Sequence, residues 1–360
     1  MDLTASMSEA CLPLPEEDLE HVLARTQGCW EEARGQACFL TGGTGFFGMW
    51  LLESFAHAND RLALGATATV LTRRPGEFAR KAPHLAARPD VRLVAGDVRD
   101  FPFPPGEFPF VIHAATSTIL ANDDAARVAV LDEIIGGTRR VLEFAVQAGA
   151  RKLLLTSSGA VYGPQPAGVT HQPEEPSGGR QLLPPEAAYG VGKREAEQLC
   201  ADHTRTTGCA GKIARCFAFV GPHLPLEGRY AIGNFLCDAL HGAPVRVAGD
   251  GTPRRSYLYA ADLAVWLWTI LFRGQPGRAY NVGSMHDLSV AEVAATVSAA
   301  VGSAQPVNIA QPPVPGHEPL RYVPDTRRAQ TELGLQENFS LSEAIRRTAR
   351  WHGAPAVTAE

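Results

Sequence analysis

Cys38-Phe39-Leu40-Thr41-Gly42-Gly43-Thr44-Gly45-Phe46-Phe47-Gly48 decides the fold. An apolar run ends in a glycine-rich turn. A helical pattern follows at once, with Phe46, Phe47, Trp50, Leu51 and Phe55 supplying much of its apolar surface. Gly42, Gly45 and Gly48 make a G-x-x-G-x-x-G spacing, close to the dinucleotide-binding fingerprint. Each glycine answers a different demand. The first allows the tight turn, the second lets backbone approach a pyrophosphate, and the third lets the helix pack close to the strand. The helix N-terminus then offers free N–H groups and the positive end of its dipole to the phosphates. An ordinary glycine-rich loop is the competing reading; the apolar run before the turn and the helical pattern after it raise the fingerprint above it.

Working outward, strands alternate with helical patterns. Residues 66–72, 91–98, 110–115, 151–158 and 212–219 are expected strands, with long helices near 123–149 and 187–205. Such alternation implies right-handed crossovers and a parallel sheet whose strand ends converge on a cofactor crevice. The fold class is therefore α/β, a Rossmann-type doubly wound parallel sheet. Beyond Gly221-Pro222 the pattern is less regular, with helices near 232–241, 262–272 and 290–301 and short strands at 244–247 and 279–283. This half forms a smaller C-terminal substrate-binding lobe over the sheet's C-terminal edge. The expected organisation is an N-terminal extension (1–35), a dinucleotide-binding domain (36–221), a substrate lobe with elements returning to the sheet (222–350) and a frayed tail (351–360). A short helix over 16–24 would cover the bottom of the sheet or serve a subunit contact. The Pro-, Gly- and Glu-rich loop 164–185 would border the substrate mouth.

Strand ends carry the cofactor candidates. The second strand ends Thr72-Arg73-Arg74-Pro75, without the carboxylate that holds an NAD ribose hydroxyl. Two guanidinium groups suit a 2′-phosphate, so NADP is favoured over NAD. The competing reading has Arg73 stacking on adenine or lying on a solvated face. Asp97, with Val98 beside it, is placed to meet the adenine amino group, and a turn or cap aspartate is the alternative. Ala114 and Ala115 are small enough for a cofactor to lie against backbone, whereas His113 is expected to be a packed strand-end residue rather than a catalyst. The expected cofactor set is Gly42, Thr44, Gly45, Phe46, Phe47, Gly48, Arg73, Arg74, Asp97, Val98, Ala114 and Ala115, joined by the helical pair discussed below.

Composition narrows the alternatives. The chain has 360 residues, 45% hydrophobic and 20% charged, enough for one large α/β unit or two domains sharing a cleft. A net charge of −5 provides no basic field for nucleic acid. Seven cysteines without a C-x-x-C pair look like core residues or isolated thiols and favour a reducing cytoplasm. No apolar run reaches membrane-spanning length, and the acidic N-terminus is unlike a signal peptide. No metal site is assigned.

Tyr189-Gly190-Val191-Gly192-Lys193 is a Y-x-x-x-K pair. On a helix this spacing puts both side chains on one face. The ammonium favours the phenolate, so Tyr189 can exchange a proton with a sugar hydroxyl while a nicotinamide exchanges hydride with the same carbon. Lys193 can also hold the nicotinamide ribose. The isolated pair occurs often by chance on exposed helix faces. Ser158 at the end of a core strand, Val161-Tyr162-Gly163 after it and the upstream glycine turn shift the balance.

With these residues the chain resembles the extended short-chain dehydrogenase/reductase family, in its nucleotide-sugar epimerase/dehydratase branch, over nearly all of residues 36–350. The family's T-G-x-x-G-x-x-G matches Thr41 to Gly48, its strand-end Ser/Thr matches Ser158, and its Y-x-x-x-K matches Tyr189 and Lys193. Its nucleotide-side arginine matches Arg255, and Asp262 matches a later aspartate. Tyr280-Asn281-Val282-Gly283 resembles its Y-N-[VI]-G strand, and Arg321 and Asp325 resemble its late R-x-P-D element. Asn234 resembles an asparagine that contacts nucleotide or phosphate. The resemblance implies catalytic Ser158, Tyr189 and Lys193, and substrate contacts from Ser158, Asn234, Arg255 and Arg321. The 4,6-dehydratases follow their catalytic residue with Asp-Glu, and the decarboxylases often place a glutamate just before V-Y-G; here Gly159 and Ala160 stand instead. The asparagine common before the sixth strand's G-P is missing.

The expectation is an NAD(P)-dependent enzyme that modifies a nucleotide sugar through a C4 ketone, with 4-epimerisation favoured. A 4-keto-deoxy-sugar reductase using NADPH, a dehydratase or decarboxylase, and a non-catalytic dinucleotide-sensing module are the alternatives. The expected assembly is a cytoplasmic homodimer built on helices 123–149 and 187–205, without nucleic-acid or membrane partners.

Overall fold

Strand β1 (Ala37–Thr41) turns Cys38 and Leu40 into one apolar layer and Phe39 into another. A strand buried on both faces needs helices above and below it. The structure, a computed structural model, describes residues 10–116, 124–175, 187–228, 230–316 and 318–354. Around β1 lie β2 (Thr67–Thr72), β3 (Val91–Ala95), β4 (Phe110–His113), β5 (Lys152–Ser158), β6 (Ala210–Cys216) and β7 (Ala279–Val282). All seven pair in parallel, in the order β3-β2-β1-β4-β5-β6-β7. The chain reverses direction across the sheet between β1 and β4, and in such sheets ligands bind in the crevice beyond that switch point.

The main helices are α1 (Glu16–Thr26), α2 (Phe46–Leu62), α3 (Asp124–Gln147), α4 (Ala188–Thr207), α5 (Ala231–Leu240), α6 (Ala260–Arg273), α7 (Val290–Val301) and α8 (Leu341–Trp351). Helices α3 and α4 cover the Phe39 side. Helices α1, α2 and α6 cover the other. Trp50, Leu51 and Phe55 of α2 are buried as expected, and Trp268 of α6 donates its indole N–H to Ser54 Oγ at 2.9 Å. Among the described residues no helix is long and apolar enough to cross a membrane. All seven cysteines are free thiols.

Several boundaries differ from expectation. Strand β3 ends at Ala95, so Asp97 belongs to a turn whose carbonyl accepts from the amides of Asp100 and Phe101. Strand β6 ends at Cys216, and Phe219–Val220 instead pair in parallel with Leu258–Tyr259. Helix α1 runs on to Thr26, and the residues before β1 are woven into the core: Val22 and Trp30 are buried, with Trp30 packed 4.7 Å from Trp268. Asp18, fully buried on α1, accepts from Tyr259 Oη at 2.6 Å and from Arg347 of α8 at 2.7 Å. A buried carboxylate needs such partners. Residues 176–186 of the expected loop 164–185, and residues 355–360 of the expected tail, lie outside the described residues.

The C-terminal half adds small sheets. Arg254–Arg255 lies between Leu288–Ser289, antiparallel, and Arg321–Tyr322, parallel. Val245–Val247 pairs with Val307–Ile309.

Candidate functional site

The glycine turn closes on the switch point. Gly42 has φ +74°, and a Cβ there would lie 2.5 Å from the Ala114 carbonyl carbon and oxygen and 2.6 Å from the Ala115 nitrogen. A Cβ on Gly48 would lie 2.3 Å from Gly42 O and Gly43 Cα. Both glycines are therefore demanded by the protein's own backbone. Gly45 is not: the nearest atom to its Cβ position is 3.6 Å away. Its missing side chain leaves room at the start of α2, whose N-cap is Gly45 and whose first amides have no side-chain cap. That combination fits a pyrophosphate.

Beside the turn is a cavity of about 370 Å³. It is lined by Gly42, Thr44, Gly45, Arg73, Arg74, Asp97, Val98, Ala114 and Ala115 of the expected set. The rings of Phe46 and Phe47 are not in the lining, and Phe47 packs edge-on against Phe219. Thr116, Glu77, Lys81 and Glu133 also line the cavity and were not anticipated. The Thr116 hydroxyl is buried without a hydrogen-bond partner among the described residues, an opening for a ribose or phosphate oxygen. Lys81 lies at the end of the short helix Pro75–Lys81 with Nζ 3.5 Å from Thr44 O. No strand end or motif marks it. Arg74 pairs with Glu77 at 3.0 Å, whereas Arg73 has no ion-pair partner among the described residues. Hydrogen bonds from Arg99 hold the Asp97 carboxyl below its ordinary pKa. The residues present fit an adenine dinucleotide.

His113 stiffens this wall. Ala115 N–H donates to Thr41 Oγ at 3.1 Å, and Thr41 Oγ is 2.8 Å from His113 Nδ1. On the other side His113 Nε2 is 3.2 Å from Thr138 Oγ, which donates to Ile134 O at 2.7 Å. Thr138 can therefore only accept from the ring, so the proton sits on Nε2 and Nδ1 accepts from Thr41. Burial drives the His113 pKa down to about 3, so the ring is neutral and fixes the position of Ala114 and Ala115.

Ser158 ends β5, Tyr189 stands in the first turn of α4, and Lys193 follows one turn later. Two glycines between the last pair let α4 settle. A Cβ on Gly190 would lie 2.4 Å from Ala160 O, and one on Gly192 would lie 3.1 Å from the Ile134 side chain. Gly190 thereby brings the Tyr189 turn against the turn that follows Ser158. Lys193 Nζ donates to Thr156 O at 2.9 Å and lies 5.9 Å from the Tyr189 ring centre. Burial lowers the Lys193 pKa to about 8. Ser158 Oγ accepts from Ala160 N at 3.2 Å and keeps its own proton to donate. Behind the site, Arg215 grips Glu197 in a bidentate pair, Ser157 donates to the same carboxylate, and Tyr162 Oη links Arg215 to Asn281. This buried polar frame was not foreseen, because its members are far apart in sequence.

The expected substrate contacts are placed differently from one another. Arg255 donates only to the Arg254 carbonyl and has no ion-pair partner among the described residues. Arg321 is tied to Asp287 at 2.8 Å, a carboxylate it shares with Arg254. Asn234 turns both its amide oxygen and nitrogen to the backbone of Gly228, at 2.9 Å each. Asp262 is buried in a contact with Asn338 and His21. No group of three or more His, Cys, Asp or Glu suited to a metal occurs among the described residues.

The sequence profile of the NAD dependent epimerase/dehydratase family matches residues 38–283. The chain is 28% identical to UDP-glucuronic acid decarboxylase 1 of Xenopus tropicalis over 87% of its length and 71% of the relative's. It is 26% identical to dTDP-glucose 4,6-dehydratase of Streptomyces niveus over 87% of its length and 91% of the relative's. Among solved structures, a UDP-glucose 4-epimerase from Thermotoga maritima aligns with TM-score 0.70 and 20% identity, covering 88% of this chain and 98% of that one. A dTDP-glucose 4,6-dehydratase from Streptomyces venezuelae aligns with TM-score 0.71 and 24% identity, covering 88% and 97%.

Proposed function

Because the chain belongs to the NAD-dependent epimerase/dehydratase family, we propose that it oxidises a nucleotide sugar at C4 to a transient ketone and inverts that carbon. Tyr189 takes the proton of the C4 hydroxyl, Lys193 steadies the phenolate, and Ser158 holds the reacting oxygen. Gly42, Gly45 and Gly48 admit the dinucleotide, with Lys193 on its nicotinamide ribose and Asp97, Val98, Ala114 and Ala115 along its adenosine half. A nicotinamide held there would supply the hydride acceptor and, in its reduced form, the hydride donor. Of the two arginines expected at the substrate, Arg255 has no ion-pair partner among the described residues, and it is assigned to the substrate diphosphate. Asn234 and Arg321 shape the same lobe through Gly228 and Asp287.

The observation that carries this reading is the turn after Ser158, where Gly159 and Ala160 bear no titratable group. Elimination of water needs an acid at the leaving hydroxyl and a base at C5. The buried carboxylates behind the turn are already engaged, Glu197 by Arg215 and Glu174 by the Asn281 amide. Inversion at C4 needs neither acid nor base beyond Tyr189. A second reading, reduction of a 4-keto sugar by NADPH, draws on Arg73, Arg74 and Lys81 in a wall that also carries Glu77, Asp97 and Glu133. The same arginines favour NADP over NAD, through charge and bidentate geometry at a 2′-phosphate. Sugars with a C6 carboxylate add one more outcome, since a C4 ketone lies β to that group: carbon dioxide leaves, the bonding pair passes to the C4 oxygen as an enolate, and C5 takes its proton from water.

The test is to incubate the protein with UDP-, dTDP-, GDP- and CDP-sugars without added reductant, then to record product mass and NMR. Unchanged mass with inverted C4 is expected. Loss of water selects a dehydratase and loss of carbon dioxide a decarboxylase. Turnover only with NADPH and a keto-sugar selects the reductase.

The active unit in this reading is a homodimer joined through α3 and α4. Val128 and Val146 are 58% and 59% exposed. At about 3.6 residues per turn they fall on one line along α3. Val191 of α4 is also exposed. Exposed valines on both helices suit a two-fold contact; a monomer at micromolar concentration in light scattering would count against it.

A further inference from the structure

A tyrosine from the far lobe reaches the turn after Ser158. Tyr322 Oη lies 3.5 Å from Ser158 Oγ. Its backbone is pinned on both sides. Arg321–Tyr322 pairs in parallel with Arg254–Arg255, and just beyond it the Gln172 amide donates to Val323 O while the Asp325 amide donates to Gln172 O, each at 2.8 Å. The ring lies 4.8 Å from that of Phe217. The hydroxyl therefore has a defined place.

A glycine leaves that place open. A Cβ on Gly159 would lie 2.8 Å from Tyr322 Oη and 2.8 Å from two edge carbons of Phe217. Gly159 is not among the residues with positive φ, so the backbone does not demand glycine there. The incoming tyrosine does. At 3.5 Å the two hydroxyls are too far apart for a firm O–H···O bond, which is about 2.7–2.8 Å. Ser158 Oγ already accepts from the Ala160 amide, so its own proton is free for another acceptor. The pair is spaced to meet two neighbouring oxygens of a bound sugar, one each.

We propose that Tyr322 is a specificity-determining residue, its hydroxyl binding the oxygen substituent beside C4 while Ser158 holds the oxygen on C4. The assignment rests on the C4-ketone reading. Burial pushes the Tyr322 pKa up to about 12, so this phenol stays protonated at neutral pH and leaves the base role to Tyr189. The oxygen that Tyr322 binds is the one on C3, bonded next to C4, or the one on C6, which reaches the C4 oxygen from across C5, and deoxy analogues separate the two.

The experiment compares kcat/KM for a turned-over nucleotide sugar with its 3-deoxy and 6-deoxy analogues, in the wild type and in Tyr322→Phe. Phenylalanine keeps the ring against Phe217 and removes only the hydroxyl. Wild type should prefer the full sugar over one analogue by about tenfold or more, as expected for a site whose polar group is left without a partner. In Tyr322→Phe that preference should collapse, because the full sugar loses rate and the analogue does not. Gly159→Ala, which crowds both the hydroxyl and the Phe217 ring, should also collapse the preference, and the two changes together should be less than additive. An equal loss on all three sugars, or no loss on any, overturns the assignment. Failure of the wild type to turn over any nucleotide sugar overturns the C4-ketone reading beneath it, whereas an active wild type with unaltered preference in Tyr322→Phe overturns the tyrosine alone.

Discussion

The two halves of the crevice are built by different means. On the cofactor side, backbone meets backbone: Gly48 against Gly42 and Gly43, and Gly42 against Ala114 and Ala115 across the β1–β4 pairing. On the substrate side, side chains meet over long sequence distances. Ser158 at the end of β5 meets Tyr322 of a two-residue strand across 164 positions, and Tyr162 meets Asn281 of β7 across 119. A backbone cradle leaves one solution, the absence of a side chain. A frame of side chains has many solutions, so one fold can hold one cofactor and take different sugars.

Loss of chemistry without loss of structure is the largest effect expected. Tyr189→Phe should lower kcat about 10²–10⁴-fold while cofactor affinity and unfolding midpoint stay in place; wild-type-like kcat would remove Tyr189 from the mechanism. Next is the frame behind the substrate half. Glu197→Ala leaves Arg215 buried without its carboxylate, and denaturant unfolding should show a loss of about 3–5 kcal/mol. A loss below about 1 kcal/mol would mean that the frame is not a support at all.

The glycines sharpen the contrast. Gly48→Ala forces backbone apart and should cost about 1–3 kcal/mol of stability. Gly45→Ala has room in the protein and should fold like the wild type while losing dinucleotide affinity in calorimetry. Equal stability loss in both would erase the distinction between a glycine for the fold and a glycine for the ligand.

Lys193 gives the pH dependence. Burial holds its pKa at about 8, below the ordinary 10.5 of the unfolded chain. Between those values the unfolded state binds more protons, so this residue's contribution to stability rises with pH through the window. Activity should move the other way, falling above about pH 8 as the ammonium that steadies the phenolate is lost. Opposite slopes in unfolding and in kcat/KM are the expected result; parallel slopes would reassign the limb.

The smallest effect belongs to the exposed cations. Arg73→Ala with Arg74→Ala should weaken NADP by about 0.5–1 kcal/mol and NAD by much less. Equal weakening of both would remove the 2′-phosphate from the account.

Legibility followed the same division. The parallel sheet, its switch point and the glycine turn were readable because each is local: an apolar run, a spacing of three, a strand followed by a helix. The Y-x-x-x-K pair was readable because one helical turn makes the geometry. Asp97 was displaced from strand to turn, since Gly96 and the Phe101 packing beneath it end β3 early. Lys81, Thr116 and Tyr322 carried no local pattern; the first sits on a short helix and the last on a two-residue strand positioned by partners from 165–172 and 254–255. His113 was expected as packing, and its neighbours Thr41 and Thr138 add a fixed proton position that no spacing could show.

The contact between Asp18 and Arg347 joins positions 329 residues apart. A ribosome adds about 5–20 residues per second, so the aspartate waits on the order of 15–65 s for its partner after it is made. Until then α1 has α2 and, once it is made, α6 to pack against, with Tyr259 alone on the Asp18 carboxylate, and the Trp30 seam waits in turn for Trp268. Shortening the chain before α8 should therefore show first as a loss of soluble yield during synthesis, and proteolysis of nascent chains stalled before Arg347 should cut ahead of Trp30 where the finished protein resists.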